Sequence, residues 1–77
     1  MPTILNQHGF RFFFYSNEHE PIHIHVEKGD FEAKYNLIPV NLVKNYGMRN
    51  KDLAVIEVII SENQGFFIEQ WKKYFSN

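Results

Sequence analysis

Cysteine is absent from these 77 residues. That excludes disulfides and thiolate metal ligands, fits a reducing compartment, and leaves burial of apolar surface as the main stabilising term. An excess of one charge is also lacking. Eight basic against nine acidic side chains give a net charge of −1, which offers no broad positive field to a phosphate backbone and disfavours nucleic acid as a partner. No apolar run approaches the ~20 residues that cross a bilayer, and Met1-Pro2-Thr3-Ile4 has neither the basic flank nor the apolar core of a signal peptide. A soluble, cytoplasmic protein with no membrane partner is the expectation. Repeats, linkers and low-complexity tracts are missing too, so residues 1–77 read as a single domain.

Aromatic side chains make up 17% of the chain, as eight Phe, four Tyr and one Trp. Each ring can bury roughly 150–250 Å², so a core is within reach of a chain this short. Ile4–Gln7 and Phe10–Tyr15 flank His8-Gly9 and predict a first hairpin. Ser16–Pro21 is polar, ends in proline, and reads as a loop. Ile22–Glu27 and Asp30–Leu37 predict a second hairpin about Lys28-Gly29, with Val26 opposite Phe31, Ile24 opposite Ala33 and Ile22 opposite Tyr35. The same register sets Glu27 by Asp30, His25 by Glu32 and His23 by Lys34. Val40–Lys44, after Pro39, predicts a short edge strand.

From Asn50 the period changes. Leu53, Ile56, Ile60, Asn63, Phe67, Trp71 and Tyr74 recur at steps of three and four and trace a helical stripe. Asn50 suits an N-cap, while Asp52 in the first turn and Lys72-Lys73 in the last match the helix dipole. The β-branched Val55-Ile56 and Val58-Ile59-Ile60, together with Gly65, predict a kink or split near Asn63–Gly65. The fold class expected is α+β: a small antiparallel sheet of two hairpins plus a short edge strand, with the C-terminal helix packed on one face.

Pro21-Ile22-His23-Ile24-His25-Val26 is the most informative stretch. Alternation puts two imidazoles on one strand face and three aliphatics on the other. The helix-facing set should be Leu5, Phe10, Phe12, Phe14, Ile22, Ile24, Val26, Phe31, Ala33 and Tyr35. The opposite, solvated face should carry Arg11, Phe13, Tyr15, His23, His25, Glu32 and Lys34. Three roles stay open for the histidine pair. Alternate Cα atoms lie roughly 6.6 Å apart, so His23 and His25 can reach one divalent transition metal if Glu32, Glu18, His19 or Glu20 supplies a third ligand. One neutral and one protonated imidazole can instead serve as a metal-free acid–base pair for phosphodiester cleavage, with Arg11 or Lys34 stabilising an anionic centre. Or the two rings simply sit in water, His25 pairing with Glu32 across the strands. No H-E-x-x-H, nucleophile elbow or phosphate-cradling glycine loop decides among them, and no cofactor is required. Phe13 and Tyr15, with Glu32 and Lys34, form an aromatic binding surface on that face, which a second copy or a partner protein would cover. His8 reads as a turn residue and His19 as a solvated loop residue.

The chain resembles the bacterial family labelled domain of unknown function 4160. The resemblance is carried by Met1-Pro2-Thr3-Ile4, Gly9-Phe10-Arg11-Phe12-Phe13-Phe14-Tyr15-Ser16-Asn17-Glu18, Pro21-Ile22-His23-Ile24-His25-Val26, Glu32-Ala33-Lys34 and Trp71-Lys72-Lys73-Tyr74-Phe75. It implies a compact stand-alone protein encoded beside another short family, in an arrangement suggestive of a toxin–antitoxin pair, and it brings no catalytic assignments. Arg11, His23, His25, Glu32 and Lys34 fall in the family's recurrent motifs. Ile22 stands where a second proline is often seen, and the helical region is richer in β-branched residues than is usual. The leading expectation is an interaction component of such a two-gene module, associating with itself or a small cognate protein. A ribonuclease-type toxin and a metal-binding protein are the alternatives.

Overall fold

The computed structural model describes residues 2–75; Met1, part of the resemblance above, lies outside them. Five strands, β1 (Thr3–Gln7), β2 (Phe10–Phe13), β3 (His23–Lys28), β4 (Phe31–Leu37) and β5 (Val40–Tyr46), precede two helices, α1 (Asn50–Glu62) and α2 (Gln64–Phe75). The sheet is an antiparallel meander in chain order, as the α+β reading requires. No helix among the described residues is long and apolar enough to cross a membrane.

The turns set the register. His8 and Gly9 both take positive φ, 53° and 80°, at the centre of the first hairpin, where Gln7 pairs with Phe10. That is the backbone a tight two-residue turn demands, and glycine adopts it at no steric cost. The second turn differs from expectation. Its central residues are Gly29 and Asp30, because Gly29 holds the positive φ (59°) at the first central position, where a type II′ turn wants glycine. Ile24 therefore faces Tyr35, Val26 faces Ala33, His25 faces Lys34 and His23 faces Asn36. The correction is a slip of two residues, and a slip of two preserves which face each side chain occupies. The edge strand is longer than predicted and reaches Tyr46. A bulge opposite Lys34 and Tyr35 brings Lys44 onto the histidine face of the sheet, opposite Lys34.

The expected apolar face is buried. Phe10, Phe12, Phe14, Ile24, Val26, Ala33 and Tyr35 join Leu37, Met48, Leu53, Ile56, Ile59, Ile60, Phe67 and Trp71 in one core, with Leu5 and Ile22 packed at its margin. Phe31 is the exception at 49% exposed, because it ends its strand beside the turn. Fully buried Tyr35 donates its hydroxyl to Glu57 at 3.3 Å. The helix splits where the sequence predicts. The Asn63 side chain donates to the Ile59 carbonyl at 2.8 Å, closing α1, and the Asn63 carbonyl accepts from Phe67 N–H at 2.9 Å, opening α2. Gln64 Nε2 donates to the Leu37 carbonyl and ties α2 to the sheet. The helix start is corrected by one residue. Arg49 is the N-cap and makes no side-chain cap bond, while Asn50 is already helical. Asp52 in the first turn and Lys72 and Lys73 in the last are as expected.

Gly65 lies inside α2, and a methyl group there would meet nothing within 4 Å. Gly65→Ala is therefore expected to raise the unfolding free energy by about 0.5–1 kcal/mol, read as a higher urea midpoint. A lowered midpoint would contradict the helical environment assigned to it.

Candidate metal centre

β3 is the central strand and is buried on both faces, His23 to Val26 in unbroken succession. The helices cover Ile24 and Val26. The other face is where the structure departs from a solvated reading: His23 is 4% and His25 7% exposed. The chain between β2 and β3 covers it. Phe14, anchored in the core against Trp71 and Phe75 at 5.5 Å each, fixes the start of that loop. The loop then brings Glu18 over the two imidazoles. Trp71 of α2 closes the margin, its ring 4.9 Å from that of His23.

The rings of His23 and His25 lie 5.0 Å apart and nearly perpendicular. One carboxylate spans them. Glu18 Oε2 is 2.8 Å from His23 Nε2, and Glu18 Oε1 is 3.0 Å from His25 Nε2. The 2.8 Å approach lies off the direction a hydrogen bond needs, so His23 Nε2 and Glu18 Oε2 are both buried without a hydrogen-bond partner. Of the remaining ring nitrogens, His23 Nδ1 meets an acceptor, while His25 Nδ1 is buried without a hydrogen-bond partner and has a carboxylate beyond it. His23 Nδ1 is 2.8 Å from the Pro21 carbonyl oxygen, and His25 Nδ1 is 3.4 Å from Glu32 Oε2. Of the four third ligands the sequence offered, Glu18 is the one that meets both Nε2 atoms. Glu32 stands behind His25, diagonal to it on β4, and His19 and Glu20 are exposed. Among the described residues Glu18, His23 and His25 each present one ligand atom within 4.8 Å of the others.

Counting hydrogens shows what this arrangement asks for. All four ring nitrogens face oxygens that, as a carbonyl or ionised carboxylates, can only accept. Two neutral imidazoles carry two N–H hydrogens, so two positions are short. A protonated Glu18 would supply one and leave the other. Burial pushes His25 below its ordinary pKa, with Glu18 pulling the other way, so a doubly protonated ring is disfavoured there. One divalent cation between the Nε2 atoms and Glu18 removes the deficit. Each ring then keeps its hydrogen on Nδ1, His23 donating to Pro21 and His25 turned to Glu32. That is the outer-shell pattern of ligating histidines, in which the second nitrogen donates to a carbonyl or carboxylate and fixes the ring.

The other expected site residues fall around this centre. Tyr15 packs edge-on against His25 at 4.6 Å and donates to both oxygens of Glu32 at 2.9 and 3.0 Å. Burial and then that carboxylate push its phenol up to about 12. Lys34 is the cross-strand neighbour of His25. Arg11 is committed elsewhere, donating to Thr3 Oγ1 at 2.8 Å and to Glu27 Oε1 at 2.6 Å. Phe13 corrects an expectation. It is 1% exposed, roofed by the Arg11 guanidinium at 4.4 Å and flanked by Tyr15 and His25, so it cannot be part of an open docking surface. His8 occupies the first turn, as expected.

The chain belongs to the family described as a domain of unknown function (DUF4160), whose model matches residues 9–72. The histidine pair, Glu18 and Trp71 all lie inside the match. No curated protein and no solved structure matches the chain.

Phe13→Ala is expected to cost about 3–5 kcal/mol of unfolding free energy, as for a buried aromatic. Tyr15→Phe, which deletes one half-exposed hydroxyl, should cost no more than about 1.5 kcal/mol. Urea unfolding of the two variants reads the difference. Equal, small losses would put Phe13 back at the surface.

Proposed function

We propose that this protein binds one divalent transition metal through Glu18, His23 and His25. The hydrogen deficit carries the reading: four ring nitrogens facing acceptor oxygens, two hydrogens on the neutral rings, and a site in which burial disfavours an extra proton on His25. Two imidazoles and a carboxylate suit zinc, iron, nickel or cobalt. Ligands about 2.0–2.2 Å from a tetrahedral ion sit roughly 3.3 Å from one another; the 2.8 and 3.0 Å approaches of the two Glu18 oxygens open by a few tenths of an ångström to reach this, and one ligand atom from each of the three residues lies within 4.8 Å of the others. The side chains of His23, His25 and Glu18 are 5–9% exposed, which favours a centre that fastens the loop to the sheet. The acid–base reading draws less support, since Glu18 and Pro21 already occupy the ring nitrogens a substrate would need and Arg11 is turned to Glu27.

Untagged protein stripped of metal is expected to take up one zinc per chain. Free zinc at a hundred times Kd should add about 2.7 kcal/mol to stability. Glu18→Gln, His23→Ala and His25→Ala should each remove stoichiometric uptake, as read by calorimetry and elemental analysis. Absence of uptake by the unsubstituted chain would overturn the reading.

A second reading is favoured by a different surface. Phe31, Ile38, Leu42, Val43 and Tyr46 are 38–62% exposed along the β4–β5 hairpin. Apolar exposure of this kind supports association with a second copy or a small cognate protein, as in a toxin–antitoxin-like two-gene module, but through β5 instead of Phe13 and Tyr15. Tyr46→Lys should then lower the sedimentation coefficient or block capture of the cognate protein without altering circular dichroism. A chain that sediments as a monomer and captures nothing before substitution would remove the idea.

A further inference from the structure

Asn36 stands directly across the β3–β4 ladder from His23, so the two side chains share the face that Glu18 covers. Its amide oxygen is buried and has no hydrogen-bond partner. Nothing beside it repairs this. Both His23 nitrogens already face acceptors, at Pro21 and Glu18, and Asn41, its partner on β5, is exposed and makes no hydrogen bond to it among the described residues. A buried acceptor left this way is destabilising. It sits on the sheet face where the neighbouring imidazole nitrogens are short of hydrogens.

We propose that Asn36 is the fourth donor of the centre, its amide oxygen binding the same divalent cation as Glu18, His23 and His25; this rests on the metal reading above. The set becomes two imidazole nitrogens and two oxygens, enough to close a four-coordinate ion. A carboxamide oxygen is neutral, so the ligand set carries the charge of Glu18 alone and the bound centre stays positive, with Glu32 behind His25 as the nearest outer carboxylate. Three elements then share one ion: the 14–22 loop, β3 and β4. A closed centre of this kind holds a loop in place and leaves no position for substrate.

Cobalt(II) titration of the metal-stripped full chain tests this, because four-coordinate cobalt(II) absorbs far more strongly in the visible than six-coordinate cobalt(II). The unsubstituted protein should bind one cobalt with an intense band. Asn36→Leu, in which water takes the vacated position, should shift that band and bind at least tenfold more weakly, whereas Asn36→Asp, which keeps an oxygen and adds charge, should retain the affinity. Where circular dichroism shows that the leucine variant does not fold, Asn36→Ser, polar but shorter in reach, should show the same shift and weakening. Equal affinity and spectrum in the leucine or serine variant would overturn the role of Asn36 and leave the three-ligand centre standing. No cobalt uptake by the unsubstituted chain would overturn the centre itself, and Asn36 with it.

Discussion

The central strand is buried on both faces, and most of the architecture answers that one constraint. On the apolar face the answer is ordinary, with Ile24 and Val26 beneath α1 and α2. On the other face the strand offers imidazoles, and a buried polar group must find a partner or destabilise the fold. Glu18 supplies it. Because its carboxylate reaches both rings at once, one residue in a loop without regular structure settles the placement of the whole 14–22 segment. Phe14 at the start of that segment and Trp71 beyond it make the cover continuous with the core.

Aromatic packing and ion pairing are one system here. His25 lies between the faces and edges of Phe13 and Tyr15, and His23 lies against Trp71. These rings hold the imidazoles in defined orientations, the rigidity a metal-ligand set needs from its surroundings. Arg11 belongs to the same system at one remove. It roofs Phe13 and pairs with Glu27, so it packs the face of the sheet beside the histidines without acting on them.

The apolar surface that remains open is displaced from where aromatic content alone would put it. Phe13 is enclosed because the polar side chains of its face fold over it, whereas the β5 edge, next to nothing in the meander, keeps Leu42, Val43 and Tyr46 in contact with solvent. Its central bulge and Lys44 are features that discourage indiscriminate pairing along an open edge.

Period-two and period-three-to-four patterning is local, so the strands, the helix, its split at Asn63 and the face on which each residue of β3 and β4 sits were legible in the sequence itself. A slip of two in the second hairpin left those faces intact, since parity survives an even shift. The pairing of His23 and His25 was legible for the same reason, and Glu18 was one of four named candidates for their third ligand. What the chain folds over a strand face is decided by long-range packing. The burial of the histidines, the choice of Glu18 over Glu32, His19 and Glu20, the enclosure of Phe13 and the arrival of Asn36 beside His23 all depend on where Phe14 and Trp71 anchor a loop and on a turn register set by Gly29. Only the assembled tertiary structure determines those distances, because no spacing along the chain encodes which segment will cover which face.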